Sequence, residues 1–350
     1  MNIAVIQAYP SYHAGNTSPQ EWIQNLNREK WIPGILRSIG HEVEYWIGAH
    51  TSGSFPVSDE ELPSYTLRHF TTDEISSQTK KHICSEMVDF ARQQNIDHYL
   101  IKGIDGGIGM HLLDEYILPS DIPFSFIIGG EFYNKYVPKA KYIFYETEYQ
   151  KQKLLNPGWH FYRRRCSEKQ LIRLEKSIDI RLFRPIDKEI RWDIISVGRL
   201  IPNYKNFDDM CSLSDKYKVA IIGDGSHRST LVQNYPQTEF LGYKPNAELP
   251  DYLNQARIFF YSGKRDHNPR VITEAMACGL PVIAYRSIIT NDVLPPACGY
   301  LIDDKNFEIR IPEILSSGDE LQRKGKNART FTKENRGKFS TRSAFEQAFS

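Results

Sequence analysis

The chain reads as an α/β protein built from two doubly wound parallel sheets. Three observations predict it. Short apolar runs alternate with helical patterns along residues 2–145 and again along 193–285, and strands separated by helices pair in parallel. At 350 residues the chain exceeds one ordinary hydrophobic core and fits two domains. Between the two series lies the charged segment 178–188 with Pro185, the expected hinge. The expected division is a first domain over 1–176, a second over 177–330, and a terminal helical piece over 331–350 whose packing the sequence leaves open.

Residues 2–7 (NIAVIQ) are the first apolar run. The loop Ala14-Gly15-Asn16-Thr17-Ser18 follows, then a helical pattern over 19–39, which completes a first strand–loop–helix unit. Further strands are expected at 41–47, 98–101, 123–128 and 141–145, and a helix over 71–94 opened by the capping box Thr71-x-x-Glu74. In the second series strands are expected at 193–197, 218–222, 239–241, 257–261 and 281–285, with helices at 206–216, 226–234, 247–255 and 269–277. A last helix is expected over 334–349. Ligands of open α/β sheets lie beyond the carboxyl ends of the strands, so the residues that follow each strand carry the functional interest.

Composition narrows the partners. With 25% charged residues and a net charge of +1, no overall field holds the molecule on nucleic acid or an anionic membrane. The five cysteines, Cys84, Cys166, Cys211, Cys278 and Cys298, are widely spaced and form no C-x-x-C pair, which points to buried thiols in a reducing compartment. The start, MNIAVIQAYP, has no cationic segment before an apolar one, and no apolar run reaches the ~18–20 residues of a membrane span. A soluble, cytoplasmic protein is expected.

Three loops of the second series carry chemistry. After the strand ending at Val197 come Gly198, Arg199 and Lys205. Two cations on one crossover neutralise a diphosphate well, the guanidinium as a planar fork and the lysine as a mobile charge; a solvated basic loop is the plain alternative. After Ile222 come Gly223, Asp224 and Gly225, which let backbone approach a ligand or simply make a tight turn. The third loop runs Arg265-Asp266-His267-Asn268-Pro269-Arg270-Val271-Ile272-Thr273-Glu274. Pro269 suits a helix start, which directs the amides of Arg270, Val271 and Ile272 outward, while Asp266 and Glu274 offer two carboxylates to ligand hydroxyls. As an ordinary loop, Asp266 would only cap the helix. The basic run Tyr162-Arg163-Arg164-Arg165 is either an anion-facing patch or a solvated face. No D-x-D pair and no His/Cys/carboxylate spacing suggests a metal, so no essential divalent ion is expected.

The third loop leads directly into Ala-Met-Ala-Cys-Gly-Leu-Pro-Val-Ile-Ala, residues 275–284. A carboxylate, seven residues, a glutamate and this run resemble the E-x7-E signature of family 4 retaining glycosyltransferases, which have the GT-B fold. Other segments agree in order: GRL with Lys205, IIGDG at 221–225, FLGY at 240–243, LPDYLNQARIFFYSG at 249–263, and SIDIRLFRP at 177–185. The likeness is specific over 177–303 and only architectural over the first 176 residues. It implies that Arg199 and Lys205 hold a diphosphate, that Glu274 binds ribose, and that Asp266 contacts the transferred sugar. Gly223, Gly225 and the loop Gly242-Tyr243-Lys244 would line the base pocket. Two departures are visible: Asp266 replaces a glutamate, and Pro269 replaces a glycine and removes an amide. On the acceptor side the family has a Gly-Gly loop after the first strand and a histidine after a middle one; here the candidates are Gly15, Gly129-Gly130-Glu131 and His111.

The resemblance implies transfer of a hexose from GDP-mannose or UDP-glucose, the former favoured, to a hydroxyl of a glycan or other acceptor with retention. Lys244 suits guanine or uracil. A nicotinamide-dependent oxidoreductase would need G-x-G-x-x-G after the first strand, where the chain reads AYPSYHAGNTS. A non-catalytic protein that binds a nucleotide-sugar or a glycan is the other alternative, made plausible by the two departures.

Overall fold

The computed structural model describes residues 1–16, 18–25, 29–130, 133–157, 165–202 and 205–350. The chain divides into two compact units, Met1–Ser177 with Lys338–Ser350, and Ile178–Gly337.

The first unit holds an eight-stranded sheet: β1 (Asn2–Gln7), β2 (Glu42–Ala49), β3 (Gly53–Val57), β4 (Tyr65–Thr71), β5 (His98–Lys102), β6 (Phe124–Ile127), β7 (Tyr142–Tyr145) and β8 (Leu171–Arg173). Their order is β3-β4-β2-β1-β5-β6-β7-β8. Ile3 of β1 lies opposite Val43 of β2 and His98 of β5 in parallel register. Strands β1, β5, β6 and β7 are buried on both faces, which is why they read as largely apolar runs. Trp46, Met87, Ile101 and Phe126 pack on one face; Trp22, Tyr45, Leu100 and Phe144 pack on the other with Phe345 and Phe349.

Several expectations are corrected here. Thr71 closes β4 and opens no helix; the helix is Ser85–Ala91. The alternating burial of Tyr65–Thr71 outweighs the capping signal, and the Thr71 amide donates to Glu86 at 2.7 Å while Glu74 pairs with His50. The hairpin β3–β4 is antiparallel, so the sheet is not wholly parallel. The pattern over 19–39 becomes the helices Pro19–Asn25 and Ile32–Ser38 with a 3-10 turn, Glu29–Trp31, before the second; residues 26–28 lie outside the described residues. The helix expected over 334–349 is likewise broken. Gly318–Asn335 ends where Arg336 leaves helical geometry, its carbonyl accepting from Ile178 N at 2.8 Å, and Arg342–Phe349 is a separate helix.

The second unit has six strands, all parallel: β9 (Trp192–Val197), β10 (Val219–Ile222), β11 (Glu239–Gly242), β12 (Ala256–Tyr261), β13 (Val282–Tyr285) and β14 (Gly299–Ile302). The order is β11-β10-β9-β12-β13-β14. The chain therefore winds outward from β9 in one direction and then restarts on its other side at β12. That reversal opens a crevice at the carboxyl ends of β9 and β12.

Candidate active site

The loop after β9 carries Gly198, Arg199 and Lys205, and the loop after β12 carries Ser262, Gly263 and Asp266. These loops meet at the reversal point of the second sheet. A Cβ at position 198 would crowd the Phe207 ring at 3.3 Å and touch the Lys205 stem at an ordinary 3.6 Å. Ser262 anchors the lysine's backbone, its hydroxyl donating to Lys205 O at 3.1 Å. Gly263 is needed because a Cβ there would collide with the Tyr261 hydroxyl. With that space open, Lys205 Nζ donates to the Tyr261 hydroxyl at 3.2 Å and lies 4.8 Å from the centre of its ring.

The same ammonium donates to Asp266 Oδ2 at 3.3 Å, although the two residues are 61 positions apart. Their side chains are 12% and 32% exposed, so the pair is largely shielded from water. Asp266 Oδ1 accepts from Asn268 N at 3.2 Å, and the Tyr261 hydroxyl donates to Asp266 O at 3.3 Å. Arg199 is exposed, and its guanidinium has no partner among the described residues. Asn203 and Tyr204 of the same loop lie outside the described residues.

The helix after β12 is Arg270–Ala277, with Pro269 at its N-cap and no side chain capping it. Arg270 and Val271 are half-buried. The Ile272 amide, expected to face outward, instead donates to Pro269 O at 3.2 Å, because the first turn tightens to a three-residue bond. Glu274 is 2% exposed, and Asn246 Nδ2 donates to its Oε1 at 3.1 Å. Burial, with the Glu274 charge beside it, pushes the Cys278 thiol up to about 12. At its other end the helix is held by Arg329, whose guanidinium donates to Ala277 O at 2.9 Å and to Phe183 O at 2.8 Å.

Gly223 and Gly225 have φ of +143° and +155°. A Cβ at either would strike backbone carbonyls of the loop after β9, those of Gly198 and Leu200. The fold alone therefore demands both glycines, and the Gly223 amide already donates to Gly242 O at 2.8 Å. Gly242 turns at φ +71° in open space and projects Tyr243, which is 74% exposed. Lys244 lies 5.2 Å from the Tyr252 ring, and the Tyr252 hydroxyl raises its ammonium above the ordinary lysine value. Sequence reasoning missed Asn246, Tyr261, Ser262 and Gly263. The signal for the last three was a strand ending in tyrosine with glycine two positions on.

Residues 180–331 match the family described as glycosyl transferases group 1. The matched segment is less than half of the chain and lies within the second unit. Over 157 residues the chain is 31% identical to the GDP-mannose-dependent alpha-mannosyltransferase of Mycobacterium tuberculosis (strain CDC 1551 / Oshkosh), covering 41% of this chain and 41% of that protein. The match thus spans about two fifths of that relative's length. Among solved structures, sucrose-phosphate synthase (tll1590) from Thermosynechococcus elongatus superposes with a TM-score of 0.72 at 13% identity, over 100% of this chain and 98% of its own. Anabaena Alr3699/HepE in complex with UDP gives 0.67 at 12%, covering 99% of each chain. The chain has the GT-B fold.

The segment matched by the group 1 family contains every donor-side candidate: Gly198, Arg199, Lys205, Gly223, Gly225, Gly242, Tyr243, Lys244, Asp266, Arg270, Val271 and Glu274. The acceptor-side candidates belong to the first unit. Gly15 follows the 3-10 turn Ser11–Ala14 at φ +81°, and that loop is fixed by Tyr12, whose hydroxyl contacts Thr72 at 2.6 Å and His82 Nδ1 at 2.7 Å. Gly129 and Gly130 follow β6, two strands away from β1, and a Cβ at either would meet nothing. His111 lies within the helix Gly107–Leu112, its Nδ1 buried with no hydrogen-bond partner. Glu131 and Tyr162, Arg163 and Arg164 lie outside the described residues; Arg165 is exposed. All five cysteines are buried and free. Among the described residues no helix is long and apolar enough to cross a membrane, and no three His, Cys, Asp or Glu side chains are grouped to hold a metal ion.

Proposed function

We propose that the chain is a retaining glycosyltransferase that moves a hexose from a nucleoside-diphosphate sugar, GDP-mannose before UDP-glucose, to an acceptor hydroxyl of a glycan in the cytoplasm. The observation that carries this reading is the meeting of Lys205 and Asp266 at the reversal point of the second unit's sheet, beside the helix that buries Glu274. Arg199 and Lys205 neutralise the diphosphate, Glu274 accepts from ribose hydroxyls, and Asp266 accepts from the hexose. The base lies against Gly242, Tyr243 and Lys244, near Gly223 and Gly225. Gly198 leaves room for the phosphates, and the amides of Arg270 and Val271 add to their field. Gly15, His111, Gly129 and Gly130 serve the acceptor.

Catalysis follows from charge. As the glycosidic bond breaks, the diphosphate gains negative charge where the two cations and the helix terminus are aimed, which lowers the barrier more than it tightens binding. The departing phosphate takes the acceptor's proton on the same face, so no carboxylate pair is needed. The mannosyltransferase relative supports a guanine nucleotide, whereas the UDP complex of the Anabaena protein supports a uracil one.

A thermal-shift screen of GDP, UDP, ADP and dTDP sugars tests the reading, since a ligand at ~100-fold its dissociation constant stabilises by about 2.7 kcal/mol. The best donor should then release nucleoside diphosphate on adding acceptor, and turnover should survive EDTA. No shift with any donor sinks the proposal; loss of turnover in EDTA with rescue by magnesium sinks its metal-free form.

A further inference from the structure

Lys205, the cation assigned above to the diphosphate, already has an anionic partner within the protein. Asp266 is 3.3 Å away, and water reaches only 12% of one side chain and 32% of the other. We propose that this pair selects a sugar-bearing nucleoside diphosphate against the bare nucleoside diphosphate; the inference rests on the donor-site reading just given. A diphosphate that takes Lys205 displaces the Asp266 carboxylate, and a shielded carboxylate must find new hydrogen-bond donors. Hexose hydroxyls provide them. The bare nucleotide has none, and its terminal phosphate, with a second pKa near ~6, places an additional negative charge beside the displaced carboxylate.

The surroundings keep Asp266 in the crevice through this exchange. Its Oδ1 is tethered by Asn268 N at 3.2 Å, and its carbonyl accepts from Tyr261 at 3.3 Å, so the carboxylate turns about a fixed backbone. The sugar is thus recognised partly through the repulsion that its loss restores. After transfer, Asp266 returns to Lys205 and expels the product. The shorter side chain in place of the expected glutamate suits this role, because it reaches both the lysine and the Asn268 amide two residues on.

Calorimetric titration with GDP, UDP, GDP-mannose and UDP-glucose compares the wild-type chain with Asp266→Asn and Asp266→Ser, each checked by melting. For the nucleotide that the wild type binds, both variants should bind the bare diphosphate about tenfold tighter, and their preference for the sugar-bearing form should fall by a similar factor. Adding Lys205→Met should remove the gain. Affinity for the bare diphosphate that is weaker, unchanged or improved by less than about threefold in both variants overturns the inference. A wild-type chain that binds none of the four ligands overturns the donor-site reading itself, and the pair's role with it, so the two failures are distinct.

Discussion

In the proposed function Arg199 and Lys205 act on the same leaving group, but their surroundings differ. The arginine is exposed and uncommitted, while the lysine is shielded and held by Tyr261 and Asp266. Replacing either with alanine should lower kcat by about 10²–10³-fold, the scale of losing one preorganised donor, and Arg199→Lys should restore charge without the bidentate fork. Steady-state kinetics decides it: a raised KM at constant kcat would reduce both to uniform binders. Glu274→Ala should weaken nucleotide binding by ~1.5–3 kcal/mol, and unchanged affinity in a variant that melts like wild type removes its assignment. At this scale the chemical types were legible, because charged residues after strand ends stand out. Their partners were not. Nothing local in the sequence brings Lys205 to Asp266 across 61 positions, or Asn246 to Glu274.

The glycine loops separate what the fold needs from what a ligand needs. Gly223 must be glycine because a Cβ would overlap the Gly198 carbonyl, so Gly223→Ala should cost more than ~2 kcal/mol in denaturant titration. Gly129 and Gly130 have open space and ordinary backbone angles. Alanine there should leave the melting temperature unchanged yet impair transfer to acceptor, and full activity in Gly129→Ala or Gly130→Ala would end their acceptor role. Elements buried on both faces, such as β1 and β9, were legible as continuous apolar runs. The hairpin strands β3 and β4 were not, since Gly53, Ser54 and Pro56 interrupt the one and Arg68 and His69 the other, and β8 is only three residues long.

At the scale of the whole molecule, the last helix decides how the first unit is closed. Phe349 meets the His98 ring edge-on at 5.0 Å, and His98 Nε2 contacts Ser125 Oγ at 2.9 Å. Burial, aided by the positive charge of Lys141, pushes the His98 imidazole down to about 3. An unfolded histidine takes its proton near ~6.5, so this stability is complete above that pH and falls by about 1.4 kcal/mol per unit as pH drops toward 3. Urea midpoints of His98→Gln should therefore fall less steeply between about pH 6.5 and 4.5 than those of the wild type; parallel slopes would place the acid sensitivity elsewhere. Two sheets were legible from the repeated strand–helix series. The final helix's packing was not, because Phe345 and Phe349 would suit either apolar surface.

The chain leaves the first unit at Ser177 and rejoins it at Lys338, so the second unit is nested within the sequence of the first. Synthesis must respect that nesting. The sheet face holding Leu100 and Phe144 emerges from the ribosome early, but the rings that cover it, Phe345 and Phe349, emerge only after the nested unit. With about 160 intervening residues added at roughly 5–20 per second, that face waits on the order of 10–30 s for its lid. The nested unit has its own continuous stretch of chain, so all of it is synthesised before the last pieces of the unit that encloses it in sequence.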